Sequence, residues 1–494
     1  MDDFDVVVVG GGINGTGLAR DLAGRGWRVL LAERDDLAAH TSSASTKLVH
    51  GGLRYLETHE FPLVRKALQE REVLLRAAPH LIRPLRFVLP HAPHLRPAWL
   101  VRAGLFLYDH LARRELLPGS HGVRLAGSVY GAPLRPEFTR GFVYADGWAD
   151  DARLVVANAL DARARGAEVL TRCAVTRAVR GADWRITLQG GRTLRSRALV
   201  NAAGPWAERF LREHAQGADG RPLPARGLRL VKGSHIVVAQ RFAHDHAYLF
   251  QNPDGRILFA IPYEGRFTLI GTTDVELPAH QAPPSRAAID AAEVDYLCEQ
   301  ASRYLAAPVR PADVLWTYAG VRPLLDGGGP ASSATRDYLL EADAAGGAPL
   351  LNVWGGKLTT YRKLAEDGAT QLGALLGEPR RPWTRGATLP GGDLGEHGVD
   401  LAAFTAGLQA RHADRAPALV ARLARAYGDR ADGVLAAPPG REVAPGLFEA
   451  ELRHLVAQEW ARSADDVLWR RGKLGLHLAP AEREAVHDWF AREA

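Results

Sequence analysis

The sequence predicts an α/β protein with three parts. These are a Rossmann-like dinucleotide-binding domain, an antiparallel-sheet domain inserted into it, and a separate helical domain at the C-terminal end. Three observations carry the prediction. Asp5–Gly10 is a β-branched run that ends in glycines at 10, 12 and 15 and leads into an apolar helical stretch. From Leu228 to Gly271 the pattern changes to short apolar pieces joined by hairpin-length turns such as Asn252-Pro253-Asp254-Gly255. Beyond Gly391-Gly392 helical periodicity takes over, with Leu452, Leu455, Val456 and Trp460 on one face. The expected boundaries are 1–75, 148–227 and 335–388 for the first domain, 76–147 and 228–334 for the inserted one, and 389–494 for the last.

The first unit is read most closely. Gly10 permits a tight turn, Gly12 lets backbone approach a pyrophosphate, and Gly15 lets helix and strand pack together. The helix ends near Gly24-Arg25-Gly26, and a second strand, Trp27–Ala32, ends in Glu33, placed to accept from ribose hydroxyls and to disfavour a 2′-phosphate. The helix N-terminus at Ile13 and Asn14 supplies amides and a positive partial charge to phosphates. These features point to FAD or NAD. The small polar loop Thr41-Ser42-Ser43-Ala44-Ser45-Thr46-Lys47 favours FAD, because such a loop can run beside a long, extended cofactor. With a single GxGxxG in strand–turn–helix context, a reduced flavin would be reoxidised by something other than bound NAD(P)H.

Further along, Asp151–Arg165 reads as a helix with an acidic first turn, followed by strands Glu168–Leu170, Trp184–Leu188 and Ala198–Asn201. The last runs into Ala202-Ala203-Gly204-Pro205-Trp206, small residues against which a ligand can press. Leu350–Arg362 returns to strand–glycine turn–helix form and offers a second helix start to the cofactor. The expected cofactor contacts are therefore Gly10, Gly12, Ile13, Asn14, Gly15, Glu33, Arg34, Thr41, Ser42, Ser43, Ser45, Thr46, Lys47, Leu48, Val175, Ala202, Ala203, Gly204, Trp206, Gly356, Lys357, Leu358 and Thr359. Ser463 with Asp466 is spaced as a capping box for a following helix.

Composition narrows the class. The chain has 494 residues, 47% of them hydrophobic, with 62 basic and 56 acidic side chains for a net charge of +6, which excludes a disordered chain and a multispanning membrane protein. Cys173 and Cys298 alone make no disulfide framework, and the acidic start predicts no secretory leader, so a reducing, cytoplasmic setting is expected. Lysine stands only at 47, 66, 232, 357, 363 and 473 in a chain otherwise drifted to arginine. The dispersed arginines lack interleaved aromatics, so no nucleic acid partner is expected. Pro97–Pro118 carries Trp99, Leu100, Leu105, Phe106, Leu107, Tyr108 and Leu111 with arginines at its flanks; it is too short to span a bilayer and suits either an interfacial helix or a core helix. His244-Asp245-His246 lacks a third ligand and reads as a solvated turn, so no metal is expected.

The segments VVVGGGINGTG, TSSASTKLVHGGLRYLE, KGSHIVV, LIGTTDVE, WTYAGVRPLL, TRDYLL and GGKLTTYRKLAE, together with DDVLWRRGKLGL near the C-terminal end, closely resemble the FAD-dependent glycerol-3-phosphate dehydrogenases, aerobic respiratory enzymes of bacteria. The resemblance implies a glutathione-reductase-type, D-amino-acid-oxidase-like FAD domain with non-covalent FAD. It implies oxidation of sn-glycerol 3-phosphate to dihydroxyacetone phosphate, with hydride passing from C2 to flavin N5 and electrons delivered to membrane quinone. It also implies a homodimer peripherally attached to the anionic inner face of the cytoplasmic membrane, which favours the interfacial reading of Pro97–Pro118. An oxidase using oxygen as acceptor would share these motifs. The Gly-rich loop Asp326-Gly327-Gly328-Gly329-Pro330 departs from the family pattern.

Such a substrate needs fixed cations for its phosphate, an acceptor for the C2 hydroxyl proton, and C2–H aimed at the flavin. Arg54 and Tyr55, after the glycines of His50-Gly51-Gly52, suit the phosphate, as does Arg322, whose backbone Pro323 restricts to an extended form. Lys357 is a candidate for substrate or flavin contact. His50 and His235 are the candidate bases, His50 preferred, since imidazole titrates near working pH. Thr272, with Thr273, stands at a strand end where a hydroxyl can meet substrate.

Overall fold

The structure is a computed structural model. It describes residues 2–57, 59–92, 96–278, 283–326 and 337–493, so the Gly-rich loop that departs from the family pattern lies outside the described residues beyond Asp326. Strand β1 (Asp2–Val9) is followed by helix α1 (Ile13–Gly24) and strand β2 (Val29–Ala32), which begins two residues later than the sequence suggested. Among the described residues nine strands form the first sheet. In it β1 lies between β2 and strand Thr193–Asn201, parallel to both. Strand Leu350–Trp354 runs parallel to the end of Thr193–Asn201, so three strand ends point their loops at one crevice. Val6, Val7, Val8, Leu30, Leu199, Val200 and Leu351 are fully buried, as a sheet covered on both faces requires.

Ten strands form the second sheet, which is largely antiparallel. Leu228–Ala239 is one continuous strand rather than two pieces, because Gly233 and Ser234 stay in register with Gly320 and Ala319 of strand Val314–Leu325. Ser234 is held there by its hydroxyl, which donates to Glu293 at 2.8 Å. Strands Ile82–Pro90 and Arg140–Ala149 belong to the same sheet, and the short strand Leu48–Val49 pairs with Trp148 and Gly147. The polar loop after Glu33 thus passes directly from the first sheet to the second.

The C-terminal part has a core of its own around Leu408, Leu423, Leu452, Leu455 and Trp489. Ser463 and Asp466 bond reciprocally as the spacing suggested, Ser463 N–H to the carboxylate at 3.1 Å and Asp466 N–H to the hydroxyl at 3.3 Å. They open a π-helical turn, Asp466–Arg471, rather than an α-helix. Within residues 97–118 the helix is Ala98–His110, with Leu105 and Tyr108 buried and Trp99 and Phe106 71% and 56% exposed on the opposite face. No helix among the described residues is long and apolar enough to cross a membrane. The turn at 244–246 is less solvated than expected. His246 is buried against Tyr130, and His244 Nε2 lies 2.8 Å from the Tyr248 hydroxyl.

Candidate active site

One long cavity of about 740 Å³ runs from the glycine turn, between the sheets, to the strands of the second sheet that carry His235 and Arg322. At its near end the glycines divide their work. A Cβ on Gly15 would lie 1.9 Å from the Gly10 carbonyl oxygen, and one on Gly10 (φ +108°) 2.5 Å from that of Ala202, so both are demanded by packing. A Cβ on Gly12 would meet only Ser42 Oγ, at 3.1 Å, so this glycine keeps the cavity floor open. The Ile13 N–H donates to Ser42 Oγ at 3.0 Å. The Asn14 amide donates to the Gly355 carbonyl at 3.1 Å, while its Oδ1 is buried without a partner. Glu33, 7% exposed, accepts from the N–H groups of Gly11 at 2.6 Å and Asp35 at 2.8 Å. Burial raises its pKa, and those two amides oppose the shift.

Arg34 stacks on Trp206, and Val175, Ala202, Ala203 and Gly204 complete that end of the wall. Thr41, Ser42, Ser45, Thr46 and Leu48 also line the cavity, as do Gly356, Leu358 and Thr359. The Thr41 hydroxyl donates to the Val321 carbonyl at 2.7 Å, which ties this loop to the strand that carries Arg322.

Lys47 and Ser43 do not line the cavity, and Gly15 lies behind its wall. Lys47 is 1% exposed, with its ammonium on Asp151 Oδ1 at 2.7 Å and the Ser43 carbonyl at 3.1 Å. A lysine in that polar loop reads locally as a cofactor contact, but the carboxylate at the helix start, Asp151, takes its charge. The same carboxylate accepts from the Ser45 hydroxyl at 2.7 Å, so one buried acid shapes the cofactor loop. Asp151→Ala would leave Lys47 buried and unpaired, with an expected loss of about 3–5 kcal/mol in urea unfolding. Asp151→Asn, which keeps the hydrogen bonds, should lose less.

At the far end Tyr55, Lys357, His50, His235, Thr272 and Arg322 meet on the cavity wall. Lys357 sits over the Tyr55 ring at 3.9 Å. Arg322 donates to Thr272 Oγ1 at 3.0 Å and pairs with Asp274, and Gly233 makes room for it. The side chain of Arg54 lies outside the described residues. Thr273 serves the fold, its hydroxyl donating to Glu293 at 2.7 Å.

The two histidines differ. His235 is 1% exposed, stacked on Tyr318, with Nε2 3.0 Å from Thr46 Oγ1 and Nδ1 without a partner. Burial, aided by Arg322 and Lys47, holds its pKa well below the ordinary value. His50 is half-buried, its backbone N–H held by Thr359 Oγ1 at 3.1 Å. Burial also lowers its pKa, with Asp146 opposing and Lys357 and Arg71 assisting.

Sequence reasoning missed the support behind His50. The Gly51 N–H donates to the Tyr108 hydroxyl at 2.8 Å, and that hydroxyl donates to Asp146 at 2.9 Å. Asp146 also takes Arg71, at 2.5 Å. Tyr108 reads as apolar filling in its helix, so only the buried face of that helix reveals the role. Phe259, Asp337 and Arg209 also line the cavity with no local signal.

The open floor at Gly12, the orphaned Asn14 oxygen and the ribose-height carboxylate of Glu33 fit FAD. Residues 5–362 match the family described as FAD dependent oxidoreductase, and residues 383–492 match the C-terminal domain of alpha-glycerophosphate oxidase. The chain is 50% identical to a glycerol-3-phosphate dehydrogenase of Pseudomonas aeruginosa, with 99% of this chain and 95% of that protein aligned. It is 48% identical to a D-erythritol 1-phosphate dehydrogenase of Brucella abortus, over 98% and 97% of the two chains. The crystal structure of the glycerol-3-phosphate dehydrogenase from Bacillus halodurans complexed with FAD superposes with a TM-score of 0.78 at 30% identity, covering 99% of this chain and 90% of that one. The chain is an FAD-dependent oxidoreductase and belongs to the glycerol-3-phosphate dehydrogenase family.

Proposed function

We propose that this enzyme oxidises sn-glycerol 3-phosphate to dihydroxyacetone phosphate and passes the electrons to membrane quinone from the inner face of the cytoplasmic membrane. The observation that carries the reading is the convergence of Arg322, Lys357, Tyr55, Thr272 and two neutral histidines at the cavity end away from the ribose carboxylate Glu33. Bound FAD supplies the hydride acceptor at N5. Arg322 and Lys357 hold the phosphate between them, and the Arg322 fork binds two of its oxygens. The Thr272 hydroxyl orients the substrate. His50 takes the C2 hydroxyl proton on its ring. It is preferred to His235 because it is only half-buried, whereas His235 is 1% exposed, stacked on Tyr318 and engaged through Nε2 with Thr46.

Because burial holds His50 below its ordinary value, the free imidazole predominates at neutral pH, and protonation removes the base only as pH falls. At saturating substrate kcat should therefore fall as pH drops, with its midpoint below the ordinary imidazole value of about 6.5. His50→Asn is expected to abolish that decline and to cost about 10²–10⁴ in kcat. An unaltered profile in that variant would exclude His50 as the base.

The exposed face of helix Ala98–His110, with Trp99, Leu100, Phe106 and Leu107, and with the exposed Arg96 and Arg113 flanking it, supports attachment to an anionic lipid surface. Phe106→Asp should cut sedimentation with phosphatidylglycerol vesicles about tenfold while leaving turnover with a soluble acceptor intact.

A second substrate, a longer polyol 1-phosphate, is favoured by the similarity to the Brucella abortus protein. Both readings meet one anaerobic experiment. Flavin bleaching by sn-glycerol 3-phosphate, reversed faster by a ubiquinone analogue than by oxygen, is the expected result. Equal reversal by oxygen would make the enzyme an oxidase. Bleaching only by D-erythritol 1-phosphate would select the second substrate, and none with either would overturn both.

A further inference from the structure

The π-helical turn Asp466–Arg471 lies outside the cavity, yet it packs against Asp36 and Trp316, which stand behind two parts of its wall. Arg471, 2% exposed, places its guanidinium fork on Asp36, Nη1 to Oδ2 at 2.5 Å and Nη2 to Oδ1 at 2.8 Å. Arg470 adds Nε to Oδ2 at 2.6 Å. Asp466 accepts from the Arg172 guanidinium at 2.7 and 3.0 Å, and the Arg172 backbone N–H donates to the Asp35 carbonyl at 2.8 Å. The loop so held, residues 33–38, packs on the glycine turn, with the Ala38 N–H donating to the Gly11 carbonyl at 3.2 Å.

Next to the two arginines in the same turn, Trp469 stacks on Trp316 with ring centroids 4.7 Å apart and planes 11° off parallel. Trp316 touches Tyr318, which is stacked on His235. Gly475 also packs against Trp469, since a Cβ there would lie 2.5 Å from the indole.

We propose that Asp466–Arg471 is a positioning clamp of the C-terminal domain on the flavin site. Arg470 and Arg471, through Asp36, hold the loop that presents Glu33 and so set FAD affinity. Trp469, through Trp316 and Tyr318, holds His235 and so sets the substrate end. The first half rests on Glu33 as the ribose acceptor, the second on the substrate reading given above.

The test uses the full chain, stripped of FAD and titrated back, with flavin fluorescence reporting the dissociation constant and circular dichroism reporting unfolding of the FAD-free form. Arg471→Lys keeps the charge and loses the fork, so the FAD dissociation constant should rise about tenfold, with kcat at saturating FAD within about twofold of the parent. Trp469→Leu should leave FAD affinity within about twofold and lower kcat/KM about tenfold. If Arg471→Lys does not fold, Arg470→Gln, which leaves the Arg471 fork in place, should still raise the FAD dissociation constant about threefold. Unchanged FAD affinity in the folded arginine variant, or parallel loss of both readouts in step with lowered unfolding temperature, overturns the clamp. The FAD titration needs no substrate, so a wrong substrate assignment would leave the arginine result standing and remove only the tryptophan arm.

Discussion

Gly15→Ala is expected to yield a colourless protein that neither retains nor rebinds FAD. The added Cβ would stand 1.9 Å from the Gly10 carbonyl oxygen and 3.0 Å from its carbon, and backbone cannot yield as a side-chain tip can. Relief requires α1 to move off β1, which dismantles the turn before any cofactor arrives; overpacking of this kind costs about 1–3 kcal/mol or more. The FAD-free chain should therefore unfold at a lower temperature than its parent. Gly12→Ala provides the contrast. Its Cβ meets only Ser42 Oγ at 3.1 Å, so the FAD-free fold should be preserved while FAD affinity falls, because the methyl stands where the pyrophosphate must come close. Visible absorbance after purification and thermal unfolding of both variants check the pair. Equal FAD content in the two proteins would contradict the division of roles.

Arg322→Met is expected to lower kcat/KM for sn-glycerol 3-phosphate by about 10³, with most of the loss in KM. The residue lies in strand Val314–Leu325, opposite Val231, with Thr272 and Asp274 setting its guanidinium at the cavity wall. Arg322→Lys preserves the charge and loses the planar fork, so a loss of about 10- to 100-fold is expected. Inhibition by inorganic phosphate should weaken in the same order across the variants. Retained kcat/KM in Arg322→Met would place the phosphate elsewhere in the cavity.

The dinucleotide turn was legible in the sequence because each of its demands is local. A buried strand needs a β-branched run, the turn needs glycines at fixed spacing, and the acid must stand one strand later. The structure brings the cavity-lining members of that set together as the spacing suggested, with Gly15 serving packing alone. The far end was legible only through the resemblance: nothing in the periodicity around His235, Thr272 or Arg322 says that three separate strands place them on one wall. Lys47 shows the limit. Its local surroundings are those of a cofactor contact, and only the helix that starts 104 residues later supplies the carboxylate that takes it inward.

Local pattern by itself determined the fold class, the cofactor turn, the change to an antiparallel sheet and the helical end. The tertiary structure alone decided which charges are held in buried pairs, which aromatic stacks on which, and which face of helix Ala98–His110 meets solvent. Arg471 and Asp36 are 435 residues apart, and no periodicity joins them. Periodicity reports which side of an element is buried, whereas the partner found there depends on how distant elements pack, and burial then makes that pairing obligatory because an unpaired charge would be costly.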